Sequence, residues 1–188
     1  RAKGFQGGVD EPGAAMTAGR TLAVITARGG SKRLPGKNVR RLGGRPLVAW
    51  TVAAAAAARS LDRTVLSTDD PAIIAAAVDA GGEAPFVRPA ELATDTADPV
   101  DALFHAIDAT GGGVAWIVLL QATSPFRLAA DIDGCVAAAR DAGAPAAVTL
   151  TAPEKPAAWM YRLGGDGRMA PLVPAPVDAG AGPVGRLN

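Results

Sequence analysis

At 188 residues the chain is long enough for one domain with a true core, and 19 Lys and Arg against 18 Asp and Glu leave a formal charge of +1, which excludes nucleic acid or an acidic surface as a partner of the chain as a whole. No apolar run reaches the ~18 residues of a membrane span and no apolar signal segment precedes residue 20, so neither a membrane nor a secretory setting is expected. The single cysteine, Cys135, excludes an internal disulfide and a cysteine-rich metal site, and a reducing, cytoplasmic setting fits.

Hydrophobic residues make up 49% of the chain, but many are alanine, which favours helices and a thinly packed core. Residues 1–19 are polar and glycine-rich without periodicity and read as a disordered extension. Residues 22–27 form a short apolar run with Val and Ile, the pattern of a buried strand. Residues 39–44 read as a connector, and Pro46 opens a helix over 46–59. A strand is expected at 63–67, a helix at 71–80 stopped by Gly81 and Gly82, and a short strand at 84–87. Residues 89–98 read as an ordered polar loop and 100–109 as a helix. The run VAWIVLL at 114–120 has the continuous, β-branched pattern of a strand buried on both faces. A helix at 129–142 and a strand at 146–150 follow. This alternation predicts an α/β, Rossmann-like three-layer α/β/α domain with a mostly parallel sheet, spanning 20–172, with 173–188 as a Pro/Ala/Gly-rich tail.

Four polar clusters each follow an expected strand: Arg28–Lys32 and its continuation to Asn38, Ser67 to Asp70, Arg88, and Gln121 to Ser124. In open α/β sheets ligands bind outside the carboxyl ends of the strands, so these clusters would share one edge. The first, RGGSKRLPGKN, places Arg28, Lys32, Arg33 and Lys37 within ten residues around glycines. Glycine lets backbone N–H groups approach an anion closely, and the cations supply countercharge. The alternative is a solvated basic turn. The spacing of a Walker loop is absent.

The strings themselves carry more than their composition. ARGGSKRLPGKN, STDD at 67–70, RPAELATDTA at 88–97 and LQATSPFR at 120–127 resemble, in order, the motifs of the N-acylneuraminate cytidylyltransferases (CMP-sialic acid synthetases) and their relatives for other nonulosonic acids. The resemblance covers about residues 22–150. It implies a nucleotidyltransferase fold and transfer of CMP from CTP to the anomeric hydroxyl of a nine-carbon sugar acid, with release of pyrophosphate. It also implies Mg²⁺ as cofactor and a homodimer at full length. The first loop differs from that of the CMP-Kdo synthetases, which weighs against that branch.

By the same resemblance, Arg28, Gly29, Gly30, Ser31, Lys32 and Lys37 would hold the CTP phosphates, with Arg28 and Lys37 facing the charge that develops during transfer. Arg33 has no counterpart and reads as a surface cation. Asn38 and Arg88 resemble nucleotide contacts; their alternatives are a turn cap for Asn38 and an ion pair with Glu91 or Asp95 for Arg88. Gln121, Thr123 and Ser124 would meet the sugar acid, or the last two would cap the turn before Pro125. Asp69 and Asp70 read as caps of the following helix rather than metal ligands. Asp131 and Asp133 lie in the first turn of a helix, where the dipole favours carboxylates, and His105 and Cys135 read as packed residues. No metal ligand is assigned within the chain.

Beyond Leu150 the likeness weakens. Positions often serine in the family's nucleotide loop are Ala97 and Pro99 here, and the tail at 173–188 breaks off within a family motif. A chain starting upstream of Met16 and truncated before the metal ligands and most of the dimerisation region is therefore expected. Two other readings stay open: a nucleotide-binding remnant without turnover, and an activating enzyme for legionaminate or pseudaminate.

Overall fold

The computed structural model describes residues 19–151 and 159–173. Strand β1 (Arg20–Thr26) is the middle of a parallel three-stranded sheet, flanked by β4 (Arg63–Ser67) and β5 (Val114–Gln121) in the order β4-β1-β5. The register sets Thr26 level with Ser67 on one side and with Gln121 on the other, so the three carboxyl ends finish together.

Alternation along β1 divides the core into two layers. Ala23 and Ile25 pack with Val48, Val52 and Ala55 of α1 (Leu47–Ala57), Ile73 and Ala77 of α2 (Pro71–Asp79) and Ile132 of α4 (Ala129–Asp141). Leu22 and Val24 face the other way, toward Val65 and toward Ala106 of α3 (Pro99–Ala109). Helices thus cover both faces, as the strand–helix alternation predicts. Each buried Leu, Ile or Val contributes about 1.5–3 kcal/mol, which is why residues 21–25 are fully buried in the middle strand.

Several boundaries differ from the sequence pattern for local reasons. Helix α1 starts after Pro46 and ends at Ala57, because the Asp133 carboxylate accepts the backbone N–H groups of Arg59 (2.9 Å) and Ser60 (2.9 Å) and draws the chain away. The connector before it holds a two-residue hairpin, β2 (Arg41–Leu42) with β3 (Arg45–Pro46), turned by Gly43 and Gly44 at φ 57 and 84. Residues 84–87 are not a strand. They run past β4 held by the bonds Leu66 N–H to Glu83 O (2.7 Å) and Arg88 N–H to Thr68 O (2.8 Å), and Pro85 has no N–H to extend a ladder. Residues 90–93 make a 3₁₀ turn, and α3 opens at Pro99 behind the Asp98 cap, whose side chain accepts Val100 N–H at 2.9 Å.

Strand β5 is not buried on both faces as its sequence suggests. It stands at the edge of the described sheet, and Leu119 is half-buried at best. The strand expected at 146–150 does not form among the described residues; Val148 and Leu150 lie exposed with no described strand to pair with. The chain divides between Val148 and Thr149 into two units. In the second, β6 (Tyr161–Leu163) and β7 (Met169–Pro171) form an antiparallel hairpin. The expectations for 1–18 and 174–188 lie outside the described residues.

Candidate functional site

An open cleft of about 350 Å³ lies at the carboxyl ends of the sheet strands, and Arg28, Ser31, Lys37, Asn38, Arg88, Gln121 and Thr123 all line it. The clusters after β1 and β5 and Arg88 therefore meet at this cleft, while the cluster after β4, Ser67 to Asp70, lies outside the lining and is joined to it through Gly29 and Arg88. The N-terminal end of α3 closes another side through Asp98, Pro99 and Ala102, and Ala97 also borders the space.

The loop after β1 is shaped by three contacts. Ser31 N–H bonds Gly29 O at 2.8 Å, tightening the turn. Gly36 adopts φ 64, a conformation that favours glycine, and its carbonyl accepts Val39 N–H (3.1 Å) and Arg40 N–H (3.2 Å), folding a short 3₁₀ turn over Lys37–Val39. That turn returns Lys37 and Asn38 to the cleft. Asn38 is buried; its side-chain N–H donates to Arg28 O at 3.0 Å, which ties the two ends of the loop together. Its Oδ1 is buried without a partner. Asn38 is thus the loop's internal brace, and it also lines the cleft.

Gly29 is placed differently from the sequence expectation. Its N–H donates to Asp69 Oδ1 at 3.0 Å, and a Cβ on it would lie 2.6 Å from Asp70 Oδ2. The glycine serves the close approach of the loop to the end of β4, and its amide is already committed. Gly30 is exposed with open space around it, and neither glycine lines the cleft. Lys32 also lies outside the lining: its ammonium is exposed and pairs with Asp95. Ser124 sits one residue past the lining, its N–H bonded to Gln121 O at 3.2 Å in the turn before Pro125.

The turn after β4 supports the site in a way its sequence hid. Arg88, 6% exposed, donates from Nε to Ser67 Oγ at 2.9 Å and from Nη2 to Ser67 O at 2.5 Å. It pairs with neither Glu91 nor Asp95. Burial lowers the Arg88 pKa from its ordinary value, opposed by the nearby Asp69 carboxylate and reinforced by the Arg28 charge. Asp70 caps α2, accepting Ala72 N–H at 2.8 Å, as expected. Asp69 caps nothing and instead holds the first loop through Gly29. Ser67 and Asp69 are thus positioning residues; the sequence marked them as part of the STDD cluster but gave Asp69 the role of a helix cap rather than this one.

Asp131 accepts Leu128 N–H at 2.8 Å and Asp133 holds Arg59 and Ser60, so both carboxylates serve helix ends. His105 packs edge-on against Phe86 with ring centroids 5.0 Å apart, and Cys135 is a partly buried free thiol. Among the described residues no group of three or more His, Cys, Asp or Glu side chains is placed to hold a metal ion, and Asp95, which lines the cleft, is committed to Arg28 and Lys32. No chemical step is assigned to a divalent ion.

A family model described as "Cytidylyltransferase" matches residues 22–159. The chain is 46% identical over 114 residues to the CMP-N,N'-diacetyllegionaminic acid synthase of Legionella pneumophila, covering 57% of this chain and 48% of that protein. It is 37% identical over 108 residues to the N-acylneuraminate cytidylyltransferase of Escherichia coli, covering 57% and 25%. A 3-deoxy-manno-octulosonate cytidylyltransferase of Synechococcus elongatus is 33% identical over 138 residues, covering 73% of this chain and 54% of that protein. Among solved structures, a CMP:2-keto-3-deoxy-manno-octonic acid synthetase complexed with CTP superposes with a TM-score of 0.56 at 26% identity, over 65% of this chain and 48% of that one. The chain spans about half the length of the curated relatives it matches, or less.

Proposed function

The chain belongs to the cytidylyltransferase family, and on that premise we propose that its cleft binds CTP for transfer of CMP to the anomeric hydroxyl of a nonulosonic acid, releasing pyrophosphate. The observation that carries this reading is the convergence of Arg28, Lys37, Asn38, Arg88 and Gln121 on one cleft at the strand ends. Transfer of a nucleotidyl group depends on positioning and charge stabilisation more than on covalent chemistry by the protein. Arg28 and Lys37 supply the positive charge along the phosphates. Buried Asn38 offers an unpaired acceptor, suited to an amino group or a hydroxyl of the nucleoside. Arg88, locked to Ser67, presents a charge whose orientation is set before any ligand arrives. Gln121 and Thr123, across the cleft, are the groups assigned to the sugar acid.

The likeness to the legionaminate synthase, 46% identical over 114 residues, favours a legionaminate-type acid as acceptor. Mg²⁺ as cofactor, a homodimer and a cytoplasmic location complete the reading; the free, partly buried Cys135 suits a reducing compartment. Among the described residues no helix is long and apolar enough to cross a membrane.

Thermal melting with each nucleoside triphosphate tests the binding step. CTP should raise the midpoint more than ATP, GTP or UTP at equal concentration, since only a ligand of the folded state stabilises it. Equal shifts from all four would reduce the cleft to a phosphate site without base preference. Pyrophosphate release in the presence of legionaminate, pseudaminate and N-acetylneuraminate then ranks the acceptors.

A further inference from the structure

Both arms of the Arg28 fork are taken by the chain itself. Nη1 donates to Thr94 O at 2.8 Å, and Nη2 donates to Asp95 Oδ1 at 2.5 Å. The other oxygen of the same carboxylate pairs with Lys32. One aspartate thus bridges two of the loop's cations, and Arg28, Thr94 and Asp95 all line the cleft. A phosphate group seeks the same donors, with the same sign of charge and the same paired-oxygen geometry. The bridge lies open to water, the Arg28 and Asp95 side chains each 36% exposed and that of Lys32 82% exposed. Ion pairs so exposed are weak and screened. A polyphosphate brings more charge and several oxygens, so its exchange for a single carboxylate is favourable.

We propose that Asp95 is a built-in competitor for the polyphosphate tail of the nucleotide, closing the cationic loop until a tail displaces it. The proposal rests on the reading of the cleft as a nucleoside triphosphate site and adds how that site is gated. The exchange releases Thr94 and Asp95 from Arg28 and frees the 94–98 segment. A ligand without the tail leaves the bridge closed, so Asp95 weakens the binding of polyphosphate ligands alone.

Calorimetric titration of the unaltered chain, Asp95→Asn and Asp95→Ala with CTP, inorganic pyrophosphate and cytidine tests this. Both variants should bind CTP and pyrophosphate roughly threefold to tenfold more tightly, the order carried by one or two exposed ion pairs, while cytidine binding stays unchanged. Equal or weaker CTP binding by the variants overturns the gate and makes Asp95 a support of Arg28, with the nucleotide site itself intact. No CTP or pyrophosphate binding by any of the three chains overturns the nucleotide site and the gate together. A second measurement needs no variant: pyrophosphate should speed amide hydrogen exchange across residues 94–98 of the unaltered chain. Unchanged or slower exchange would overturn the proposal.

Discussion

Two adjacent glycines of the first loop, Gly29 and Gly30, should respond unequally to the same added methyl group. A Cβ on Gly29 would lie 2.6 Å from Asp70 Oδ2 and 2.9 Å from Asp70 Cβ. Asp70 has little room to yield, because its Oδ1 caps α2 by accepting Ala72 N–H at 2.8 Å. The loop must move instead, at the expense of the 3.0 Å bond from Gly29 N–H to Asp69. Overpacking of this kind costs about 1–3 kcal/mol. For a chain of this size that corresponds to a fall of roughly 3–10 °C in melting temperature. At Gly30 a Cβ meets nothing within 4 Å and the backbone φ is not positive, so Gly30→Ala should stay within about 0.5 kcal/mol of the parent. Melting of both variants by circular dichroism without ligand, followed by CTP titration, separates the effects. Gly29→Ala should lose stability and, with its loop displaced, CTP affinity. Equal melting temperatures for the two variants would refute the close approach of the loop to the end of β4.

Lys37→Ala should weaken CTP binding at least tenfold, as expected for losing a charged hydrogen bond of about 1.5–3 kcal/mol, whereas Arg33→Ala, four residues away and outside the cleft lining, should change it less than twofold; like losses from both would mean the loop acts only through its total charge. Stability should also fall in acid. The Arg63 hydrogen bond holds Glu83 below its ordinary value of 4.5, and hydrogen bonds from Ser60 and Arg59 hold Asp133 below 3.8. A carboxylate with a lowered folded-state pKa stabilises fully above its unfolded value and loses that contribution as pH falls through the folded one. Melting temperature should therefore decline from about pH 4.5 downward, and Glu83→Gln should flatten the upper part of that decline; an unchanged slope in the variant would dissociate Glu83 from it.

Much of the site was legible in the sequence because it follows local rules. A buried strand that empties into glycines and cations, and polar clusters repeated after later strands, need only period and composition to be seen. Chain order along β1, β4 and β5 then predicts their common edge, and the structure places Arg28, Lys37, Asn38, Arg88, Gln121 and Thr123 on one cleft. Capping by Asp70, Asp98 and Asp131 was likewise a matter of two or three residues, within reach of local reading for Asp70 and Asp131.

Partners far apart in the chain were decided only by tertiary structure. Asp69 spends its carboxylate on Gly29, 40 positions away, and Asp95 bridges cations more than 60 positions back, because parallel strands bring their ends together across long crossovers. The same distance dependence explains the errors. Helix α1 stops early because Asp133, from α4, takes its next two amides. Strand β5 looks buried on both faces by composition, yet its exposure depends on which strand lies beside it, a property of the sheet order rather than of its own residues. Local propensity specifies what each segment can become; the neighbours that fold brings to it decide which polar groups are spent on structure and which remain for a ligand.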